Sequence, residues 1–343
     1  MKRLGYSAVI AGLAWAAACA SDPTSVLRNG LKSLTVDPDV MFINEGDGRG
    51  LNVIPRDEQL NPVAAAVTVA SSDDNIATVD EDPGQPSTDG SNHRYNITAV
   101  APGQAKIAVT AGGVSDTAVI NVMPLAFAGT PSGTSLQVGG VLSLAATASL
   151  KFDTATSNVN FGDSTTADVI SATAETLIVR VPQPNSAAPS KLTVQNVAIT
   201  YVTGLHADLP TVATFTVTNP FGSHSTPDPA ATINIPANGG PDLVFYDGFG
   251  SAEVDHYYTF TTAATDTITF QLDWSSGADI DMYVCDAGCN TFEGGANKFD
   301  AATGANPEIV TMILPAGSHN LYINVFDTLD TPAYVYKVTI TNP

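Results

Sequence analysis

The sequence predicts an all-β protein of three antiparallel β-sandwich modules in tandem, which follow an N-terminal signal peptide. Apart from that signal peptide, no convincing segment repeats apolar residues at the spacing of an amphipathic helix. Short segments rich in Val, Thr, Ile, Phe and Tyr instead alternate with polar residues, as in residues 106–110, 176–181 and 257–260. Gly, Pro, Asn and Asp interrupt these segments about every 8–12 residues, which is typical of antiparallel sandwiches.

Length and charge limit the possible functions. The chain has 343 residues, of which 44% are hydrophobic, and 13 basic residues stand against 34 acidic ones for a net charge of −21. At roughly 100–150 residues per domain, this length predicts two or three domains. Nucleic-acid binding is disfavoured because phosphates require clustered Lys and Arg, and the basic residues here are scattered. An anionic membrane surface would also repel the chain, so membrane attachment would have to be lipidic or spanning.

The N-terminus predicts export. Lys2 and Arg3 precede an apolar run over residues 8–18, which has the layout of a secretory signal peptide over residues 1–18. The run is too short to span a bilayer, which needs roughly 20 residues.

Cys19 directly follows three alanines, and this arrangement resembles a bacterial lipobox. The resemblance implies that Cys19 is diacylated and becomes the new N-terminus, with acyl chains that anchor the protein to a membrane. Ala20 in the next position resembles outer-membrane sorting, so the predicted location is the outer membrane or cell surface. The alternative is an ordinary signal peptide, cut near residue 18 or 20, which leaves Cys19 as a free thiol.

A short tether over residues 19–30 leads into the first module, residues 31–123. A Ser/Asp-rich turn precedes an Ile-Ala-Thr-Val strand within residues 71–80, and a Pro102-Gly103 turn is expected to join two strands of one sheet. The two stretches together resemble group 2 bacterial Ig-like domains (Big_2), and this resemblance implies an Ig-like sandwich.

The second module covers residues 124–219. Gly162 lies where a strand must turn sharply, and Pro182 closes a later strand. The stretch from Val159 to Pro182 resembles IPT/TIG domains, which implies a second Ig-like fold. Residues 220–230, rich in Pro, Gly and Ser, are predicted to be a linker.

The third module covers residues 231–343. Its segments 255–261, 279–285 and 313–323 occur in the order of the signatures of bacterial pre-peptidase C-terminal (PPC) domains, which they resemble. The resemblance implies a jelly-roll-like β-sandwich of the kind attached to secreted peptidases and other exported proteins. Some relatives bind collagen or polysaccharide.

Cys285 and Cys289 are the only cysteines besides Cys19. In an exported protein this pair predicts a local disulfide that closes one turn. A zinc half-site is the alternative, but it lacks further cysteines and a nearby histidine pair at ligand spacing.

Signatures of catalysis are missing from the sequence. It contains no G-x-S-x-G, H-E-x-x-H or C-x-x-C motif and no Gly-rich phosphate loop placed between a strand and a helix. The five histidines fall in three modules, and none has a partner within metal-ligand spacing. We therefore expect a protein that is not an enzyme and that has no cofactor, with calcium as the one possible exception.

The calcium prediction rests on Asp279 and Asp281. Residues i and i+2 of a strand share a face, so both carboxylates are expected beside Tyr283. Calcium takes six to eight oxygen ligands, and Asp255, Asp286 or Asp327 could add some. The alternative is that these aspartates bond turn backbone at the sheet edge.

Tyr257, Tyr283 and Tyr322 are the predicted ligand-binding residues, and Tyr334 and Tyr336 are also expected to be exposed on strands of the third module. Tyrosine suits recognition surfaces because a rigid ring with a polar tip buries area at low entropy cost. The alternative is that these rings are half-buried sandwich residues.

These features predict an exported, lipid-anchored, non-catalytic cell-surface protein. In this interpretation an Ig-like stalk presents a PPC module that binds a glycan, a matrix protein or an envelope partner. Two alternatives remain: a structural or assembly accessory of the cell envelope with no specific soluble ligand, and a non-catalytic subunit of a secreted peptidase or other hydrolase.

Overall fold

The computed structural model describes residues 30–84, 90–129, 135–162, 165–184, 190–250, 253–274, 279–295, 302–326 and 335–343. Within these ranges the regular structure is β-strand and there is no α-helix, so the predicted all-β class is confirmed. The predicted signal peptide, Cys19 and nearly all of the tether lie outside the described residues, as do Asp327 and Tyr334. Among the described residues, no helix is long and apolar enough to cross a membrane.

The chain divides into two compact units. One comprises residues up to 100 together with 105–120, and the other comprises 101–104 together with 121–343. The second unit contains two separate hydrophobic cores, one between residues 123 and 217 and one between residues 221 and 340.

The first module consists of two four-stranded sheets. Its strands are β1 (Ser33–Asp37), β2 (Val40–Asn44), β3 (Gly48–Arg56), β4 (Thr68–Ser71), β5 (Ala77–Glu81), β6 (His93–Ala99), β7 (Gly103–Ala111) and β8 (Val114–Met123). One sheet has the order β1-β3-β6-β5, and the other has the order β2-β8-β7-β4. Every second residue of β7 is buried, as the alternating sequence predicts. Each such Ile or Val contributes about 1.5–3 kcal/mol through burial.

Two turns support the Ig-like prediction for this module: the Ser/Asp-rich turn before β5 and the Pro102-Gly103 turn. The structure agrees with the first prediction and differs from the second. The Asp73 side chain accepts the backbone N–H of Asn75, and the backbone of Asp73 accepts that of Ala77, so the polar turn leads directly into β5. The prediction for Pro102-Gly103 is wrong in one respect. This turn joins β6 to β7, which belong to different sheets rather than to one. A Pro-Gly turn has the same local sequence whether the two strands that it joins pair in one sheet or belong to different sheets.

The second module also contains two sheets. Its strands are β9 (Ser135–Gln137), β10 (Val141–Ala145), β11 (Leu150–Phe152), β12 (Asn158–Phe161), β13 (Thr165–Thr166), β14 (Asp168–Ala172), β15 (Thr176–Arg180), β16 (Ser190–Ile199) and β17 (His206–Thr218). The sheets have the orders β10-β15-β14 and β13-β12-β16-β17-β9, and β11 pairs with β16. Gly162 follows β12 at a φ of +66°, a conformation that favours glycine, as its predicted sharp turn requires.

The third module has two four-stranded sheets around its own core. Its strands are β18 (Ala231–Thr232), β19 (Leu243–Gly248), β20 (Asp255–Thr262), β21 (Asp266–Trp274), β22 (Ile280–Asp286), β23 (Glu308–Leu314), β24 (Gly317–Val325) and β25 (Val335–Thr341). The orders are β18-β20-β24-β22 and β19-β25-β21-β23.

Residues 220–230, predicted to be a linker, contribute to the third module. Phe221 packs against its core, and its ring centroid lies 5.3 Å from that of Tyr258. His224 is buried as well. The Pro/Gly-rich composition predicts the irregular backbone here, but it does not predict that two of the side chains are buried.

Candidate functional site

Three tyrosines lie side by side on one face of the β18-β20-β24-β22 sheet. The register pairs Tyr322 with Tyr257 on one neighbouring strand and with Tyr283 on the other. The Tyr257 and Tyr322 rings stack at 4.7 Å between centroids, and the Tyr322 and Tyr283 rings stack at 5.6 Å. All three side chains are half-buried. The structure thus brings together all three predicted ligand-binding residues, and it also fits the alternative description of half-buried sandwich residues.

Phe292 adds a fourth ring, with its centroid 5.0 Å from that of Tyr283. Cys285 and Cys289 form the predicted disulfide in the turn between β22 and Phe292. Glu293 donates its backbone N–H to Val284 at 2.7 Å, so the chain folds back along β22 and places Phe292 beside the tyrosines. We call Tyr257, Tyr322, Tyr283 and Phe292 the aromatic strip.

A polar row runs beside the aromatic strip. Asn324 pairs with Asp255 on one side and with Asp281 on the other, two residues along from the tyrosines and therefore on the same face. The Tyr322 hydroxyl donates to Asp255 at 2.7 Å, and the Tyr283 hydroxyl donates to Asp281 at 3.0 Å. These bonds fix the rings and give the face an apolar half and an acceptor-rich half.

The two hydroxyls are held in their protonated form. Burial is the main cause and the hydrogen bond to Asp281 the second cause that raise the pKa of Tyr283 to about 12. Burial and the hydrogen bond to Asp255 also raise the pKa of Tyr322. Both tyrosines are therefore uncharged hydrogen-bond donors at neutral pH, and the negative charge of the face comes from the carboxylates.

Three carboxylates near the start of β22 influence one another's ionisation, and we call them the acidic cluster. They are the predicted calcium ligands Asp279 and Asp281, together with Glu308 at the start of β23. Glu308 is only 2% exposed, and its Oε2 has no hydrogen-bond partner, while Oε1 accepts the Thr303 N–H at 2.6 Å. Asp279 Oδ1 is also buried without a partner. The sequence did not indicate Glu308, because it lies on a different strand 27 residues after Asp281 and has no spacing relation to it.

We expect the acidic cluster to make stability depend on pH. Burial, together with the charges of Asp281 and Asp279, raises the pKa of Glu308 to about 7 from 4.5, despite the hydrogen bonds from Thr303. The folded state therefore resists ionisation of Glu308, so the contribution of this residue to stability is highest below about pH 4.5 and falls as pH rises to about 7. The expected loss is about 3 kcal/mol, measured by urea denaturation in EDTA.

Glu308→Gln should remove most of this loss, because an amide does not ionise. Glu58→Gln, at an exposed position of the first unit, is the matched control and should retain it. An unchanged pH profile in Glu308→Gln would contradict the assignment.

The structure adds one histidine pair and corrects the expectation for Tyr336. No two histidines lie at metal-ligand spacing along the sequence, but the fold brings the His224 and His256 rings to 4.1 Å between centroids. Tyr336 was expected to be exposed but is fully buried, with its hydroxyl 2.6 Å from His256 Nδ1. His224 and His256 are 32 residues apart, so only the fold makes them neighbours.

No protein-family model and no curated protein matches the chain. Among solved structures, it is similar to domains 4 and 5 of the S-layer protein SbsC, with 24% identity over 27% of this chain and 52% of that one and a TM-score of 0.25. The chain therefore spans about half of that S-layer fragment.

Two further solved structures are similar to this chain. The pre-peptidase C-terminal domain of collagenase from Bacillus anthracis has 16% identity over 33% of this chain and 97% of that one, at a TM-score of 0.26. The adhesin InvE of Yersinia pseudotuberculosis has 19% identity over 55% and 60%, at a TM-score of 0.27. Such low TM-scores carry no argument about function, and the Big_2, IPT/TIG and PPC assignments stay predictions.

Proposed function

We propose that this is an exported, lipid-anchored, non-catalytic surface protein whose third module binds a polysaccharide at the aromatic strip. The observation that carries the proposal is the pairing of two rows on one sheet face, with aromatic rings in one row and carboxylate and amide groups in the other. The Ig-like modules serve as the stalk, and the acyl chains on Cys19 serve as the anchor.

A polysaccharide suits this face chemically. A sugar has apolar C–H surfaces that pack against aromatic rings, and it has hydroxyl groups that donate hydrogen bonds to a partly exposed acceptor such as Asp255. Sites of this kind combine an apolar lining with a few fixed polar groups. The polar row is acidic and the chain carries a net charge of −21, so sulfated or uronic-acid glycans would be repelled. The proposed ligand is therefore a neutral or basic polysaccharide.

The test is an array of neutral, basic and sulfated glycans and matrix proteins, probed with residues 20–343. We expect saturable binding to neutral or basic glycans and weaker binding as the sulfate content of the glycan rises. Tyr322→Ala removes the central ring of the aromatic strip and should weaken binding at least tenfold, as expected for a central aromatic residue of an interface.

Ile313→Ala is the matched control for Tyr322→Ala. Ile313 is 68% exposed on β23 of the other sheet, so its loss should leave binding unchanged. Equal binding by Tyr322→Ala and the wild type would refute the site. An array without hits would refute the binding function and favour the envelope accessory or the hydrolase subunit, which co-purification with a fixed partner would distinguish.

We also propose that the acidic cluster binds calcium. Two of its oxygens, Asp279 Oδ1 and Glu308 Oε2, are buried without partners, and oxygen is the ligand that calcium prefers. Calcium at 100 times its Kd should raise the free energy of unfolding by about 2.7 kcal/mol relative to EDTA, measured by denaturation at pH 7.5.

Asp279→Asn should remove most of the stabilisation by calcium, while Asp116→Asn, in the first unit, should retain it. If the melting temperatures in calcium and in EDTA are equal, the calcium proposal fails. The array run in both buffers then shows separately whether glycan binding needs the ion.

A further inference from the structure

Five polar side chains meet inside the core of the third module, away from the aromatic strip. None of the five is more than 2% exposed. His224 comes from the segment before β18, and the other four come from three strands: Asp247 from β19, His256 and Tyr258 from β20, and Tyr336 from β25. We call them the buried cluster.

Their inward-facing atoms converge. His224 Nε2 lies 2.9 Å from Asp247 Oδ2, and His256 Nδ1 lies 3.8 Å from the same oxygen. The Tyr258 hydroxyl lies 2.5 Å from that oxygen and in contact with the Tyr336 hydroxyl, which in turn lies 2.6 Å from His256 Nδ1. The ligand atoms of the two histidines and the aspartate all lie within 4.8 Å of one another.

The outward-facing atoms of the two imidazoles have different surroundings. His224 Nδ1 lies 2.9 Å from the carbonyl oxygen of Gly222, and metal-ligating histidines typically place their second nitrogen beside such an oxygen. His256 Nε2 is buried without a hydrogen-bond partner and lies 3.6 Å from a carboxylate oxygen of Glu253.

Asp247 is oriented in the same way as His224. Its Oδ1 accepts the Asn219 side-chain N–H at 2.8 Å and the Gly248 backbone N–H at 2.7 Å. Oδ2 is thereby left to face the buried cluster. His224 and Asp247 thus each have one polar atom fixed from outside and one directed inward, and His256 directs Nδ1 inward.

Two imidazole nitrogens and a carboxylate oxygen are ligand types that one metal cation can accept together. In this fold they converge on one place inside the core of the third module.

We propose that His224, Asp247 and His256 bind one first-row transition-metal ion of the Zn²⁺ class, with the Tyr258 and Tyr336 hydroxyl oxygens completing its surroundings. Imidazole nitrogen favours such ions over Ca²⁺ and Mg²⁺. The complete burial of the ligands fits a structural rather than a catalytic ion. The ion would fix the segment that carries His224 to three strands of the third module. This site is independent of the proposed polysaccharide function.

The test is metal analysis of the full chain, purified without chelator and also refolded from urea with Zn²⁺ or Co²⁺. We expect about one ion per chain, a rise in melting temperature with Zn²⁺, and visible absorption from bound Co²⁺. His224→Gln should lower Zn²⁺ affinity at least 100-fold.

His319→Gln is the matched control. His319 is an equally buried histidine of the same module, but it bonds to Glu293 and Thr262 outside the buried cluster. We expect this variant to bind Zn²⁺ like the wild type. The proposal is overturned if the wild type binds no stoichiometric metal under either condition, or if His224→Gln binds Zn²⁺ with unchanged affinity. A loss of binding in His319→Gln alone would place the ion elsewhere.

Discussion

Replacing Asp247 by alanine is expected to lower the free energy of unfolding of the second unit by about 3 to 5 kcal/mol in chelator-treated protein. The carboxylate is fully buried and accepts hydrogen bonds from Asn219, Gly248 and Tyr258. Alanine would leave these donors, and the imidazole of His224, without their partner in the core. Removing one member of a buried charged network typically costs this much. Urea denaturation at pH 7 measures the change.

Asp266→Ala is the matched control. Asp266 belongs to the same module and accepts a side-chain hydrogen bond from Asn342 at 2.8 Å, but it is partly exposed to water. Its loss should cost about 1 kcal/mol, because water can replace the carboxylate. Equal losses in the two variants would contradict a central role for Asp247 in the third module.

Gly139→Ala is expected to destabilise the second unit by roughly 2 to 5 kcal/mol. Gly139 has a φ of +75°, and a Cβ at this position would overlap the side chain of Tyr246 on β19. Arg180 closes the same contact, since it donates to the Gly139 carbonyl at 2.7 Å and its guanidinium lies 4.0 Å from the centre of the Tyr246 ring. The cost combines backbone strain of about 1–2 kcal/mol with overpacking of about 1–3 kcal/mol.

Gly204→Ala isolates the overpacking. Gly204 also has a φ of +75°, but nothing lies within 4 Å of an added Cβ. It should therefore lose only the 1–2 kcal/mol of backbone strain, measured by the same denaturation. Equal destabilisation by the two variants would show that an added methyl group at Gly139 does not overpack against Tyr246.

Local patterns in the sequence were sufficient for the fold class. The alternation of residue types along β7 matches the two-residue period of a strand, and its buried positions confirm it. The glycine at position 162 predicted a sharp turn, and its positive φ confirms it. The disulfide between Cys285 and Cys289 was predictable because its partners are four residues apart. The sheet assignment of the strands around Pro102-Gly103 was not predictable, since hydrogen-bond partners along a strand edge leave no trace in local sequence.

The aromatic strip was predictable in part. Alternation placed Tyr257, Tyr283 and Tyr322 on strands, but only the register showed that they form one row. Phe292 was missed because it lies beyond a strand end, and its position depends on the fold of the disulfide turn. Glu308 was missed because its coupling to Asp281 crosses from one sheet to the other.

The sequence by itself determined the all-β class and the local disulfide, because alternation, turn residues and short-range covalent closure are encoded within about ten residues. It also predicted the export signal and the lipid anchor, which stay predictions. Tertiary structure decided which polar groups meet. His224, Asp247, His256 and Tyr336 come from four segments spread over more than 100 residues, and they become neighbours only when both sheets close around one core. Contacts of that kind depend on strand order and register, which no local pattern specifies.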